Sequence, residues 1–254
     1  MKTTLKQSLI TMSLAMTMAL PVYADVEDVV EKSFSVNDDS TFTLSNINGE
    51  VEITSWQQAK IKVIATIKAD DQESRDRIEV KMKQQGDQVN VATQYEKSFN
   101  YKNSNSGQVS YQVWLPASTN LSDIELVNGS LTIEGVQGEV EAELVNGSIV
   151  AKGLSHNSDI SSVNGSIKAY YQSLDQNLDD IEIETVNGSI KLYLPEEVNA
   201  ALDIETMHGS INTDFGLKAK KNSYVGRSLN GNIGRGGTKI NLESVNGSIK
   251  VLKN

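Results

Sequence analysis

Five times along this chain the same motif returns, Val-Asn-Gly-Ser followed by Ile or Leu, centred on Asn128, Asn146, Asn164, Asn187 and Asn246. Related copies stand at Asn48 (INGEV), His208 (MHGSI) and Asn230 (LNGNI). Asn-Gly between apolar runs is first of all a hairpin signal, because both residues accept positive φ. A two-residue hairpin, however, keeps the alternation of faces unbroken on either side of the turn. Here apolar residues favour positions −4, −1, +3 and +5 counted from the Asn, as Ile183, Val186, Ile190 and Leu192 do around Asn187. Position −2 is polar in several copies (Ser162, Thr185, Thr206, Ser244). The alternation slips between −4 and −1, which predicts a strand, a corner carrying Asn-Gly and a second strand, with all four apolar positions turned to one interior.

Successive copies from Asn128 to Asn246 are 18, 18, 23, 21, 22 and 16 residues apart. That is the coil length of a β-solenoid, whose units cannot bury an apolar face alone and must stack. The chain therefore reads as all-β: a β-solenoid of short Asn-Gly-cornered repeats over residues 117–254, with a meander of hairpins as the alternative. Stacking would align Val127, Val145, Val163, Val186, Met207, Leu229 and Val245 in one inward column. Leu131, Ile149, Ile167, Ile190, Ile211, Ile233 and Ile249 would form another. The asparagines would stack at the corner and share side-chain amide bonds, as in cross-β ladders. Residues 25–116 read as an N-terminal β region that includes the first repeat and caps an open edge. Stretches such as "KIKVIATIK" (60–68) and "VSYQVWLP" (109–116) pattern as strands, and residues 96–108 as a polar loop.

Residues 1–24 are set apart from the fold. Lys2 and Lys6 precede an apolar run from Leu9 to Leu20, and Val22-Tyr23-Ala24 offers small residues for cleavage, the pattern of a secretory signal peptide. The run is too short for a membrane span, so no transmembrane segment is expected. The formal charge of −10 becomes −12 without those two lysines, which disfavours nucleic acid and anionic membranes as partners. With no cysteine, the exported chain has neither disulfides nor a lipoprotein anchor. A bacterial periplasmic or secreted, cell-surface location follows.

Three segments, "FTLSNINGEVEITSWQQAKIKVIATIKA", "VSYQVWLPASTNLSDIELVNGSL" and "GRGGTKINLESVNGSIKV", occur in this order. With the repeat, they resemble the bacterial putative-adhesin family called domain of unknown function 4097, from about Phe42 to Val251. The resemblance implies a β-solenoid-like, envelope-associated protein and carries no catalytic residues across.

Searching the residues for chemistry yields no catalytic, cofactor or metal site. His208 stands where other copies have Asn and reads as structural; His156 has no evident partner. "GNIGRGGT" (231–238) lacks the Gly-Lys-Ser/Thr of a phosphate loop and reads as a tight turn. Positions −3 and −5 carry acids, including Asp123, Glu125, Glu141, Glu143, Asp159, Glu182, Glu184, Asp203 and Glu205. This outward stripe is a solvated surface or a set of weak divalent-cation sites. Residues 217–239 hold six basic residues and no acid, a solvated loop or a docking patch. The regularity of these columns favours a non-enzymatic scaffold binding an envelope polysaccharide or another envelope protein. A polysaccharide lyase or hydrolase on the same fold is the rival.

Overall fold

The computed structural model describes residues 25–96, 107–174 and 178–254; residues 1–24, read above as a signal peptide, and the centre of the 96–108 stretch lie outside them. The chain opens with β1 (Val26–Ser35), β2 (Thr41–Asn48), β3 (Val51–Trp56) and β4 (Lys60–Ala69). A short helix α1 (Gln72–Asp76) then leads to β5 (Ile78–Gln85), β6 (Gln88–Tyr95) and β7 (Gln108–Pro116). The repeats follow as β8 (Asn120–Asn128), β9 (Leu131–Glu134), β10 (Val140–Asn146), β11 (Ile149–Leu154), β12 (Ser158–Asn164) and β13 (Ile167–Tyr171). Next come β14 (Asp180–Asn187), β15 (Ile190–Leu194), β16 (Ala200–His208) and β17 (Ile211–Thr213). The chain ends with β18 (Lys220–Lys221), β19 (Arg227–Ile233), β20 (Thr238–Asn246) and β21 (Ile249–Lys253).

Each Asn-Gly corner passes the chain from one sheet to the other. The first sheet, here sheet A, has the order β1-β4-β7-β3-β9-β11-β13-β15-β21-β17. Sheet B has the order β18-β19-β16-β20-β14-β12-β10-β8-β2-β6-β5. From β7 to β17 and from β6 to β16 the neighbours are parallel, while β1, β4, β5, β18 and β19 pair antiparallel at the ends. Both sheets are open. The fold is all-β and solenoid-like, with β20 and β21, last in sequence, seated inside the stack between β14/β15 and β16/β17.

The interior is filled from both sheets. Ile149, Ile167, Ile190 and Ile249 align in register on sheet A, Ile160, Ile183, Leu242 and Ile204 on sheet B, and all are fully buried. Positions −4, +3 and +5 thus face inward as expected. Position −1 does not: Val127, Val145, Val163, Val186 and Val245 are 36–42% exposed, and Met207 is 52% exposed. The strand alternates without a slip, and position −2 points into the core. Leu126 and Leu144 fill it in early copies. Where it is Thr or Ser the hydroxyl is buried, and three of the four are satisfied by a neighbouring corner: Thr185 donates to the Gly165 carbonyl, Ser244 to Gly188 and Thr206 to Gly247, while the Ser162 hydroxyl has no partner among the described residues. A paired hydroxyl costs little to bury, so the polarity that suggested an outward position is a feature of the interior.

The Asn230 copy is not a corner. Asn230 lies within β19, which pairs antiparallel with β16, so Leu229 and Ile233 face Ile204 and Ala200 on sheet B and leave both anticipated columns. The true corners are tied by the asparagines. Each side-chain amide donates to the Oδ1 of its neighbour: Asn128 to Asn48, Asn146 to Asn128, Asn164 to Asn146, Asn187 to Asn164 and Asn246 to Asn187, at 2.8–3.0 Å.

Candidate functional site

Parallel register converts each repeat position into a row along the stack, so the outer faces consist of ladders. On sheet B, Glu143, Ser161, Glu184, Glu243 and Glu205 stand side by side, and Glu141, Asp159, Glu182, Asn241 and Asp203 form the next row. Neighbours are about 4.8 Å apart. The anticipated acidic stripe is therefore a continuous face. Among the described residues no three His, Asp or Glu groups converge as ligands of one metal ion.

Burial, and then the carboxylates of Asp159, Glu184, Asp180 and Glu243, push the Glu182 carboxyl above its ordinary range. Such a group binds its proton more tightly folded than unfolded. Its stabilisation is present while it is protonated and is lost as pH rises through the raised value. Glu182→Gln is accordingly expected to stabilise the protein at pH 7 by some tenths of a kcal/mol, the size of one relieved cross-strand repulsion. The gain should vanish in acid, where Glu182 is already neutral. Thermal melting at both pH values tests this, and an equal gain at both would refute the repulsion.

Beside the acidic rows runs an apolar rail. Ile47, Val127, Val145, Val163, Val186, Val245 and Met207 precede the in-register corner residues and share the outward side of sheet B with the acids. Six steps give it a length of roughly 29 Å. At one end a cleft of about 430 Å³ opens between the rail and the turn joining β18 to β19, with Val186, Met207 and Val245 facing Asn222 and Val225.

Sheet A presents the opposite charge. Lys168, Lys191 and Lys250 occupy one register position on three adjacent strands and form no ion pair among the described residues. The next row holds Lys152, bound to Glu134 at 2.7 Å, then Tyr170 and Tyr193, whose rings stack at 4.1 Å and 6°. Burial and the adjacent Tyr193 raise the Tyr170 hydroxyl above its ordinary range. Farther along the face, Lys60 and Lys62 lie over Trp56 and Trp114. This lysine ladder was missed in the sequence, although "NGSIK" at 164–168, 187–191 and 246–250 is its signal.

The remaining candidates are placed plainly. His156 accepts from the Asn157 N–H at 3.0 Å and lies 3.7 Å from Glu139, so it has partners after all. His208 sits exposed at the corner opposite Asn246. The 231–238 stretch turns tightly, with the Arg235 N–H held by the Asn199 side chain. The basic residues of 217–239 are exposed around β18 and β19, apart from the sheet A lysines. No helix among the described residues is long and apolar enough to cross a membrane.

Among solved structures, a putative cell adhesion protein from Clostridium sporogenes ATCC 15579 is 15% identical, covering 89% of this chain and 100% of its own, with a TM-score of 0.51. A putative adhesin from Bacteroides fragilis NCTC 9343 is 14% identical over 89% of this chain and 97% of its own, with a TM-score of 0.44. The likeness to the first is one of fold. No curated protein sequence matches the chain. Residues 103–252, more than half of the chain and most of the parallel stack, match the family model Toastrack DUF4097, and to that family the chain belongs.

Proposed function

We propose that the protein is an exported, non-enzymatic, adhesin-like scaffold of the bacterial envelope, periplasmic or at the cell surface, that holds an anionic envelope polysaccharide on the outer face of sheet A. In this reading residues 1–24 are a cleaved signal, 25–116 an N-terminal cap region and 117–254 the binding stack. The adhesion description of the Clostridium sporogenes relative supports the class of function. The partner rests on one observation, the ladder of Lys168, Lys191 and Lys250, which has no ion pair among the described residues. Like charges directly opposite one another on adjacent strands oppose folding. A linear polyanion would turn that repulsion into attraction, and the Tyr170 and Tyr193 hydroxyls beside it would supply hydrogen bonds. Divalent cations would meet the acidic face only as weak counter-ions.

The test is retention on immobilised polygalacturonate under a salt gradient. Lys168→Gln with Lys191→Gln and Lys250→Gln should weaken binding roughly tenfold or more at low salt, at some tenths to 1 kcal/mol per exposed charge. Lys218→Gln with Lys220→Gln and Lys221→Gln should leave it nearly unchanged. Equal retention of the ladder variant and the parent would remove sheet A as the binding face. The rival reading, a carbohydrate-active enzyme, has the raised Glu182 beside Asp159 in its favour, as acid and base of a carboxylate pair. New reducing ends or unsaturated sugars released from the polymer, and abolished by Glu182→Gln, would establish it.

A further inference from the structure

The exposed apolar surface of this protein is concentrated in two places. Of the ten large hydrophobic side chains exposed among the described residues, seven form the rail on sheet B and two, Tyr224 and Val225, sit at the tip of the turn between β18 and β19. Tyr224 is 97% exposed. Folding leaves both features largely to solvent: the rail side chains are 36–52% exposed, and only the end near Val225 faces another part of the chain among the described residues.

The two surfaces complement each other. The rail is flanked by Glu184, Glu205 and Glu243. The hairpin carries Lys218, Lys220, Lys221 and Arg227, and none of these forms an ion pair among the described residues. The chain itself already demonstrates the fit in part, since Val225 stands against the end of its own rail and leaves the 430 Å³ cleft open beside it. A protruding aromatic and a cleft walled by Val163, Val186, Met207, Val245 and glutamates are thus adjacent on one patch. That is the requirement for an isologous contact, in which residue i of one copy meets residue j of the other and the reverse.

We propose that a second copy of this chain docks here as a closed two-fold dimer. Tyr224 of each copy enters the cleft of the other, and the basic hairpin of each lies along the glutamate row of the other. A buried tyrosine anchor inside a rim of charge pairs is the usual energetic layout of a specific interface. The contact uses sheet B and leaves the lysine ladder of sheet A free, so it stands or falls independently of polysaccharide binding.

Sedimentation equilibrium of the full mature chain, from low to high micromolar concentration and at low and high salt, tests the proposal. The parent is expected to dimerise, more weakly as salt rises. Tyr224→Ala should weaken dimerisation at least tenfold at an unchanged melting temperature. Lys220→Glu with Lys221→Glu, and separately Glu205→Lys with Glu243→Lys, should each be monomeric and should form a one-to-one dimer when mixed. The Lys168, Lys191 and Lys250 glutamine variant should dimerise like the parent. A parent that stays monomeric throughout overturns the proposal, and so does a Tyr224→Ala variant that dimerises normally or a charge-reversed mixture that stays apart.

Discussion

Gly188→Val is expected to destabilise the protein by about 3 kcal/mol, the upper end for overpacking, and to lower its melting temperature by roughly 6–12 °C. A Cβ on Gly188 would lie 1.7 Å from the Gly165 carbonyl oxygen and 3.0 Å from the Thr185 hydroxyl. Neither neighbour can retreat. The oxygen is backbone, accepts the Thr185 hydroxyl at 3.1 Å and lies in the corner of the next layer, and the Gly188 N–H is itself bonded to the Asn246 carbonyl at 3.1 Å. The same collision recurs at Gly147, Gly165 and Gly247, so close backbone approach is what the corner glycines permit throughout the stack. Left-handed backbone strain, the reason a sequence reading attaches to Asn-Gly, does not apply at Gly188, whose φ lies outside that region. Gly86 separates the two causes. Its φ is +61° with nothing within 4 Å of an added Cβ, so Gly86→Ala should cost only about 1 kcal/mol. Thermal melting of the two variants compares crowding with strain directly, and equal losses would mean that crowding is not the cause.

Removing residues 238–254 is expected to unfold more than it deletes. In a simple solenoid the last repeat is a terminal layer, and trimming it costs that layer's interface with one neighbour. Here β20 pairs with β14 on one side and β16 on the other, and β21 lies between β15 and β17. Deletion withdraws an internal layer, with Ile240, Leu242, Ile249 and Val251 from the core, and leaves β16 to β19 without a parallel partner. Hydrogen exchange on the truncated chain should show residues 200–233 exchanging within seconds to minutes while β8 to β13 remain protected. Protection of 200–233 comparable to the parent would show that β16 can re-seat directly on β14.

How much of this was legible follows from where the information resides. The corner, its asparagine ladder, the +3 and +5 core positions and the acidic rows are properties of single repeats, and the sequence displays them. Position −1 was misread because Thr185, Thr206 and Ser244 look solvent-facing until the glycine carbonyls of the adjacent layer are brought within reach of their hydroxyls. The order of layers is hidden for a related reason. Adjacent repeats carry nearly the same residues, so nothing in "SVNGSIKV" says that it packs on β14 before β16 does. The Asn230 copy misled because Asn-Gly also fits an extended strand, here β19 between β18 and β16, where Gly231 lies against Leu217. The lysine ladder and the cleft each need side chains from separate repeats to meet, which only register supplies.

The asparagine ladder has a direction. Every amide in it donates towards the N-terminal layers, and the last of them, on Asn48, lies against the Tyr95 hydroxyl. Reversing one amide would set two N–H groups face to face on one side and two carbonyls on the other, so the row keeps its sense or reverses as a whole. Its aligned amide dipoles add in the way peptide dipoles add along a helix, and each bond polarises the next. The corner is therefore an electrical axis as well as a seam, with a partial positive end at Asn48 and a partial negative end at Asn246, beside the exposed imidazole of His208. The one corner that departs from asparagine thus stands at the negative end of that axis, where the ladder of amides stops.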